Sequence, residues 1–180
     1  LLHIVSSFFA LAFPFFELVP QLECRAKSGE WVSCSRKEVC STGGDYRIDW
    51  NSKLSVVNII TEMDLVCEED YKIGLLGSLV FLGFMLSSLT IMPFADILGR
   101  KPILIITAVI STGASFMILF VRDMYYLYIL LFMFGMTVLV RGTTSYVYVM
   151  EMVPESAQQT YVMILSCLEK LQVCMIPFCF

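Results

Sequence analysis

The sequence contains few charged residues and almost no histidine. Of its 180 residues, 16% are Asp, Glu, Lys or Arg, against roughly a quarter in an average soluble domain, and a single residue is histidine. One histidine cannot build a histidine-rich metal site. The net charge of −4 lacks the basic excess that nucleic-acid binding requires. These shortages argue against a soluble enzyme and against a nucleic-acid-binding protein.

Motifs of common catalytic sites are also missing. The chain has no G-x-x-x-x-G-K, no G-x-S-x-G and no H-E-x-x-H segment. Its densest acidic run, at 68–70, lies in a highly charged stretch, where a solvated surface is the expected role. We therefore expect no enzymatic activity, no cofactor and no metal site.

Apolar residues, in contrast, are abundant. They make up 58% of the chain, and its mean hydropathy is +0.78. A water-soluble domain of this size leaves much of its surface wet and does not need so much apolar material. Residues 21–72 hold 17 of the 28 charged residues, so one polar block interrupts an otherwise apolar chain. The sequence therefore predicts a membrane protein.

Five apolar stretches approach the length of about 20 residues that spans a bilayer. A signal peptide is the alternative for the first of them, but it has neither Met nor a basic start. Both chain ends lie in apolar stretches, so we expect an all-α membrane fragment in which the last helix is incomplete. The predicted spans are 1–20, 73–95, 102–121, 124–150 and 161–180.

Basic residues and cysteines predict the orientation of these spans. Arg100 and Lys101 lie in a short connection, which the positive-inside rule places in the cytoplasm. Residues 21–72 then form a large extracellular loop between the first two spans. Four cysteines in an extracellular loop suggest two disulfides, and three pairings are possible. Zinc is the less favoured alternative, because the spacings include no C-x-x-C. The four cysteines are Cys24, Cys34, Cys40 and Cys67.

The connection after the second span carries a dense group of charges. Asp96 closes the span at a helix C-terminus, where the helix dipole disfavours an anion, so a neighbouring base is expected. Gly99 permits the left-handed turn of a helical hairpin. Arg100 and Lys101 follow directly. A simple topology anchor is the alternative interpretation of this group.

This connection resembles the G-x-x-x-D-R-x-G-R-R/K motif of the major facilitator superfamily, with Met92 and Ile97 replacing a Gly and an Arg. The resemblance implies that these motif residues help to stabilise one alternating-access state at the cytoplasmic side: Asp96, Gly99, Arg100 and Lys101. Residues 151–154, with Glu151 and Pro154, resemble the family's E-x-x-P motif, and Gln158 replaces an Arg that the family has after it.

A further segment narrows the branch of the family. Residues 60–67 read I-T-E-M-D-L-V-C and resemble the T-x-W-D-L-V-C segment of organic cation and anion transporters, with Met63 replacing the Trp. The resemblance implies five helices of an N-terminal six-helix half, with a cysteine-containing extracellular loop after the first helix. It also implies that the protein transports a small organic ion or solute by alternating access, and that this substrate binds near the midplane of the membrane. The expected location is the plasma membrane.

Three charged residues fall inside predicted spans, where they are costly and usually face a cavity or a partner. They are Arg141, Glu169 and Lys170. Arg141 and Glu169 fall at similar depths on consecutive spans, so we expect them to face each other across the cavity, with Lys170 as the alternative partner of Arg141. Either they form a fixed ion pair that joins two helices, or Arg141 binds an anionic group, or the pair opens during transport.

A non-transporting membrane scaffold with a disulfide-bonded extracellular loop, such as a tetraspanin-like protein, is the alternative function. Tetraspanins place their large loop after the third span and carry C-C-G there, which this sequence lacks. The expected partners are membrane lipid and a small organic solute, without nucleic acid. The fragment alone is not expected to transport.

Overall fold

The computed structural model describes residues 2–26, 29–52 and 55–179. Within them the chain forms seven α-helices, three short strands and a 3-10 turn at Leu65–Cys67. Their bounds in chain order are α1 Leu2–Phe16, β1 Leu22–Arg25, β2 Trp31–Cys34, α2 Arg36–Thr42, β3 Tyr46–Ile48, α3 Ile59–Glu62, α4 Asp70–Leu98, α5 Arg100–Ile118, α6 Met124–Met152 and α7 Glu155–Cys179.

Within the described ranges, three helices are long and apolar enough to cross a membrane, judged by length and composition: α4, α5 and α6. Only 28%, 28% and 44% of their apolar windows are buried, so each helix leaves apolar surface for lipid. The prediction of a mostly helical membrane protein is confirmed. Helices α1 and α7 coincide with the other two predicted spans, and the count of five spans stays a prediction.

Two of the connections between the long helices are shorter than the sequence predicts. Gly99 alone separates α4 from α5, and residues 153–154 separate α6 from α7. Pro102 is the third residue of α5, a position in the first turn where the missing N–H costs no intrahelical hydrogen bond. Pro154 disfavours helical backbone at the residue before it, which ends α6. The expected connections at 96–101 and 151–160 are therefore mostly helix.

The described chain divides into two compact units. The first contains residues 2–12 and 75–179. Its helices α5 and α6 pack against each other along much of their length. Ala95, Ile103 and Val140 form a small buried cluster that joins α4, α5 and α6, with Met92 packed against it. Met92, which replaces a family glycine, therefore fills space among the three helices.

Two glycines allow α4 and α6 to approach closely. A Cβ atom on Gly135 would lie 2.4 Å from the carbonyl oxygen of Val80, and one on Gly83 would lie 2.7 Å from that of Phe132. Real side chains essentially never approach backbone so closely. The contact therefore depends on small residues at both positions, as is common between membrane helices.

The second unit, residues 13–74, contains most of the predicted loop. Its three strands form an antiparallel sheet in the order β2-β1-β3. Disulfides join Cys24 to Cys34 and Cys40 to Cys67. The two predicted disulfides are confirmed, and the structure selects one of the three possible pairings. The placement of this segment outside the cell stays a prediction.

Candidate gate cluster and buried charges

The two charged motifs meet at the ends of three helices. Arg100 begins α5, and its Nη2 lies 3.2 Å from Oδ1 of Asp96 on α4 and 2.8 Å from Oε1 of Glu151 on α6. One guanidinium therefore bridges two carboxylates that are 55 residues apart in sequence. We name Asp96, Arg100 and Glu151 the gate cluster.

Helix dipoles explain why these three charges depend on one another. Asp96 and Glu151 lie in the last turns of α4 and α6, where the partial negative charge of a helix end disfavours an anion. Arg100 lies at the first position of α5, where the dipole disfavours a cation. Because the Arg100 side chain is only 24% exposed, water screens its contacts incompletely. Each charge is thus unfavourable alone and offset by the others.

Other motif residues surround the cluster without joining it. Gly99 has a φ of +93°, a conformation that side-chain-bearing residues rarely adopt, so the direct joint between α4 and α5 requires glycine. Lys101 and Pro154 are exposed. Gln158, where the family has Arg, donates from Nε2 to the carbonyls of Met150 at 3.1 Å and Val153 at 3.3 Å. It therefore satisfies carbonyl groups at the end of α6.

Arg141 is buried in the second half of α6, with 5% of its surface exposed. Its Nε donates to the hydroxyl of Ser6 on α1 at 3.0 Å. Among the ion pairs of the described residues, none involves Arg141, so the fixed ion pair with Glu169 is not found there. The role of Arg141 as a cavity charge stays a prediction.

Glu169 lies elsewhere, on a cavity of about 400 Å³ between α6 and α7. Lys170, its neighbour, is exposed. The roles of both in transport stay predictions. The cavity is lined by Thr143, Tyr146, Val147, Val162, Leu165, Ser166 and Glu169.

Arg36 holds the residues that lead into α4. Its guanidinium donates to the carbonyl oxygens of Val66 and Glu68 and pairs with Asp70, the first residue of α4. The disulfide Cys40–Cys67 fixes the same stretch from the next turn of α2. The cation and the disulfide thus fix the entry to α4 together.

The motif residue Asp64 adopts left-handed backbone with a φ of +53°, which Asp tolerates better than most residues. Its Oδ1 accepts a hydrogen bond of 2.9 Å from the hydroxyl of Tyr46. Burial first, and then the Asp64 carboxylate, raises the pKa of Tyr46. Nearby, the hydrogen bond from Lys72 lowers the pKa of Glu68. This motif thus helps to order the polar segment.

Residues 54–168, about two thirds of the chain, match the profile of the family described as the Major Facilitator Superfamily. The match covers the gate cluster, the close contact of α4 with α6 and the buried Arg141. The chain belongs to the Major Facilitator Superfamily. The resemblance indicated by the two charged motifs is therefore confirmed.

The chain is similar to curated members of the organic cation branch. It is 38% identical over 84 residues to "Organic cation/carnitine transporter 2" of Rattus norvegicus, 47% of this chain and 14% of that protein. The human protein of that name is 34% identical over 100 residues, 56% of this chain and 17% of the relative. "Solute carrier family 22 member 4" of Mus musculus is 37% identical over 84 residues, which cover 47% of this chain and 14% of that protein. The matched segment is thus about a sixth of these relatives' length.

Several residues that organise this superfamily member are absent from the sequence predictions. Asn58 is 5% exposed and donates to two carbonyls at the end of α1, and Arg36 and Ser6 make the contacts described above. Asn58 could have been found, because N-x-x-T is typical of a helix start and its side chain does accept from Thr61. Ser6 and Arg36 carry no such local signal.

Proposed function

We propose that this chain is the N-terminal part of a transporter that moves small organic ions or solutes across a membrane by alternating access. The gate cluster carries this proposal. Arg100 joins three helix ends through charges that each lie at an unfavourable end of a helix, so the cluster stabilises the arrangement of those ends that the structure has. An electrostatic contact between helix ends suits a protein whose helices separate and rejoin as it alternates between two states.

The relatives support a transport role and a class of substrate. Two of them are named for organic cations and carnitine. We propose that the substrate here is likewise a small organic ion or zwitterion, and that the full-length protein is neither an enzyme nor a scaffold.

The membrane topology follows from the same proposal. Five helices would cross the bilayer, α1 and α4–α7, with residues 21–72 outside the cell and the gate cluster at the cytoplasmic surface of the plasma membrane. Arg100 and Lys101 at the joint between α4 and α5 support this orientation through the positive-inside rule. The disulfides of the polar segment fit an extracellular location.

Uptake by the full-length protein that contains this chain tests the proposal. Cells expressing it and vector-only cells would be given radiolabelled tetraethylammonium, 4-(trimethylammonio)butanoate or p-aminohippurate. We expect saturable uptake of at least one compound, with a faster initial rate after the cells are preloaded with the same unlabelled compound. A carrier shows this acceleration because loaded return is faster than empty return. Surface-expressed protein with no saturable uptake of any of them would favour the scaffold.

A further inference from the structure

Arg141 has a neutral group as its only hydrogen-bond partner within the described chain. It is 95% buried on α6, and that partner is the hydroxyl of Ser6. Among the described residues, its two Nη groups have no hydrogen-bond partner. Within the part of the chain that the structure describes, these two groups are therefore available to a further molecule.

The carboxylates of residues 75–179 that the structure describes lie away from Arg141. Glu151 lies ten positions after Arg141 on α6, which is about 15 Å along the helix axis. Glu151 and Asp96 both pair with Arg100. Glu169 lines the cavity beside Thr143, and Thr143 lies about 200° around α6 from Arg141. The cavity is thus on another face of the helix.

The two remaining acids in this range lie at helix ends. Asp123 precedes α6, and its side chain accepts a hydrogen bond from the backbone of Tyr125. Glu155 begins α7. The positive charge of Arg141 therefore has no counter-ion among the described residues.

Polar residues surround Arg141 along one buried stripe of α6. Thr137, Thr144 and Ser145 lie four positions before and three and four positions after it, so they share its face. They are 3%, 4% and 8% exposed, and Ser6 on α1 is 3% exposed. The hydroxyls of Thr137 and Ser145 already donate to carbonyl oxygens of their own helix. The stripe therefore supplies polar surroundings, and the hydrogen-bond donors for an anion come from Arg141.

A buried charge without a counter-ion is strongly disfavoured in a membrane helix. We propose that Arg141 is an anion-binding residue, whose Nη groups hold a monoanionic group that enters the hydroxyl-lined face of α6. The anion is a carboxylate of the transported substrate or a small inorganic anion such as chloride. Arg suits this role because its planar donors match a carboxylate in a two-point contact. This inference rests on the proposed transport function.

Two probes that differ by one charge test it in the full-length protein. One is radiolabelled 4-(trimethylammonio)butanoate and the other is its methyl ester, each given to cells in chloride medium and in gluconate medium. The variants are Arg141→Gln, Arg141→Lys and, as a matched loss of an exposed cation, Arg122→Gln. Uptake rates are divided by the amount of protein at the cell surface, measured by surface biotinylation. If Arg141→Gln does not reach the surface, Arg141→Lys replaces it as the test variant.

If the substrate carboxylate is the anion, Arg141→Gln raises the KM for the butanoate by about tenfold or more, the loss of about 1.4 kcal/mol or more, and leaves the KM of the ester unchanged. Arg141→Lys raises it less, because an ammonium cannot form the two-point contact. If chloride is the anion, the wild type transports both probes faster in chloride, and Arg141→Gln removes that dependence. Arg122→Gln matches the wild type in either case.

Equal effects of Arg141→Gln on both probes without a chloride dependence, or no effect on either, would overturn the inference. A thermal shift of the purified full-length protein in detergent separates the two proposals. One outcome is that the butanoate or chloride stabilises the wild type but not Arg141→Gln, while neither protein shows uptake. That outcome would support the anion site and contradict the proposed transport function. Uptake of both probes that ignores the Arg141 variants would leave transport standing without this site.

Discussion

Asn58 stabilises the end of α1 by joining it to the segment before α4. Its Nδ2 donates to the carbonyl oxygens of Phe15 at 3.1 Å and Leu18 at 2.7 Å, while its Oδ1 accepts from the backbone of Thr61 at 3.2 Å. Carbonyls at a helix C-terminus have no intrahelical partner, so one side chain satisfies groups from two segments. Because Asn58 is buried, water cannot replace it readily.

Asn58→Ala is therefore expected to lower the free energy of unfolding by about 1–3 kcal/mol, because it leaves buried carbonyls unsatisfied. Thermal unfolding of the purified full-length protein in detergent measures the effect as a lower Tm. Asn51→Ala is the matched control, since Asn51 is exposed in the same unit. Equal Tm values for the two variants would show that the Asn58 contacts contribute nothing.

Residue spacing predicted the members of the gate cluster but not their geometry. Asp96 and Arg100 are four apart and close to a glycine, so their proximity follows from local structure. Arg100 and Glu151, in contrast, are 51 positions apart and lie on different helices, so their spacing gives no reason to expect a contact. Arg141 was expected to face Glu169 because the sequence indicates only the depth of each residue in the membrane. Arg141 lies about 200° around α6 from Thr143, which lines the cavity beside Glu169.

The crossing of α4 and α6 depends on Gly135. Its Cβ position is 2.4 Å from a backbone oxygen, so any side chain there must push two helices apart. We expect Gly135→Ala to lower stability by about 1–3 kcal/mol through overpacking, measured as a lower Tm and a smaller monodisperse fraction after solubilisation.

Gly113→Ala is the control for that substitution. Gly113 lies in α5 with open space at its Cβ position, so alanine should leave stability unchanged or raise it by up to about 1 kcal/mol through its helix propensity. If Gly135→Ala were as stable as Gly113→Ala, the close approach of α4 and α6 would not exist in the protein.

The two disulfides of the polar segment differ in the length of chain that they enclose. Cys24–Cys34 spans 10 positions and Cys40–Cys67 spans 27. In the chain-entropy account, the longer loop gains about 1 kcal/mol more. Replacing Cys40 and Cys67 by serine should therefore lower the Tm more than replacing Cys24 and Cys34. The reverse order, measured under non-reducing conditions, would contradict the structure's assignment of Cys40–Cys67 to the entry of α4.

Apolar length and charge spacing predicted the long helices, but not their ends or the strands. The helices α4–α7 include most of residues 96–101 and 151–160, where charges suggested a connection. Apolar runs detect the part of a helix in lipid and miss the turns that extend beyond it. The strands β1–β3 escaped prediction because strands of three or four residues show little alternation of apolar and polar residues.

At the scale of the whole molecule, the chain combines a helical unit of superfamily type with a disulfide-bonded polar unit. The segment matched to the rat relative is 14% of that relative's length. A cavity between two pseudo-symmetric halves needs both halves. The transport activity proposed here therefore belongs to the full-length protein, and tests of it require that protein.

Initial uptake rates for the Arg100→Gln variant test the central claim most directly. The full-length wild type, Arg100→Gln and the exposed-cation control Arg122→Gln would be compared with the probe that the wild type takes up best, at equal surface expression. Arg100→Gln leaves Asp96 and Glu151 without their shared cation. We expect its maximal rate to fall by about tenfold, a barrier change of about 1.4 kcal/mol, while its KM stays near the wild-type value because the proposed role of the cluster is to stabilise one state and not to bind substrate. Arg122→Gln should match the wild type. A maximal rate for Arg100→Gln equal to that of Arg122→Gln would contradict the account.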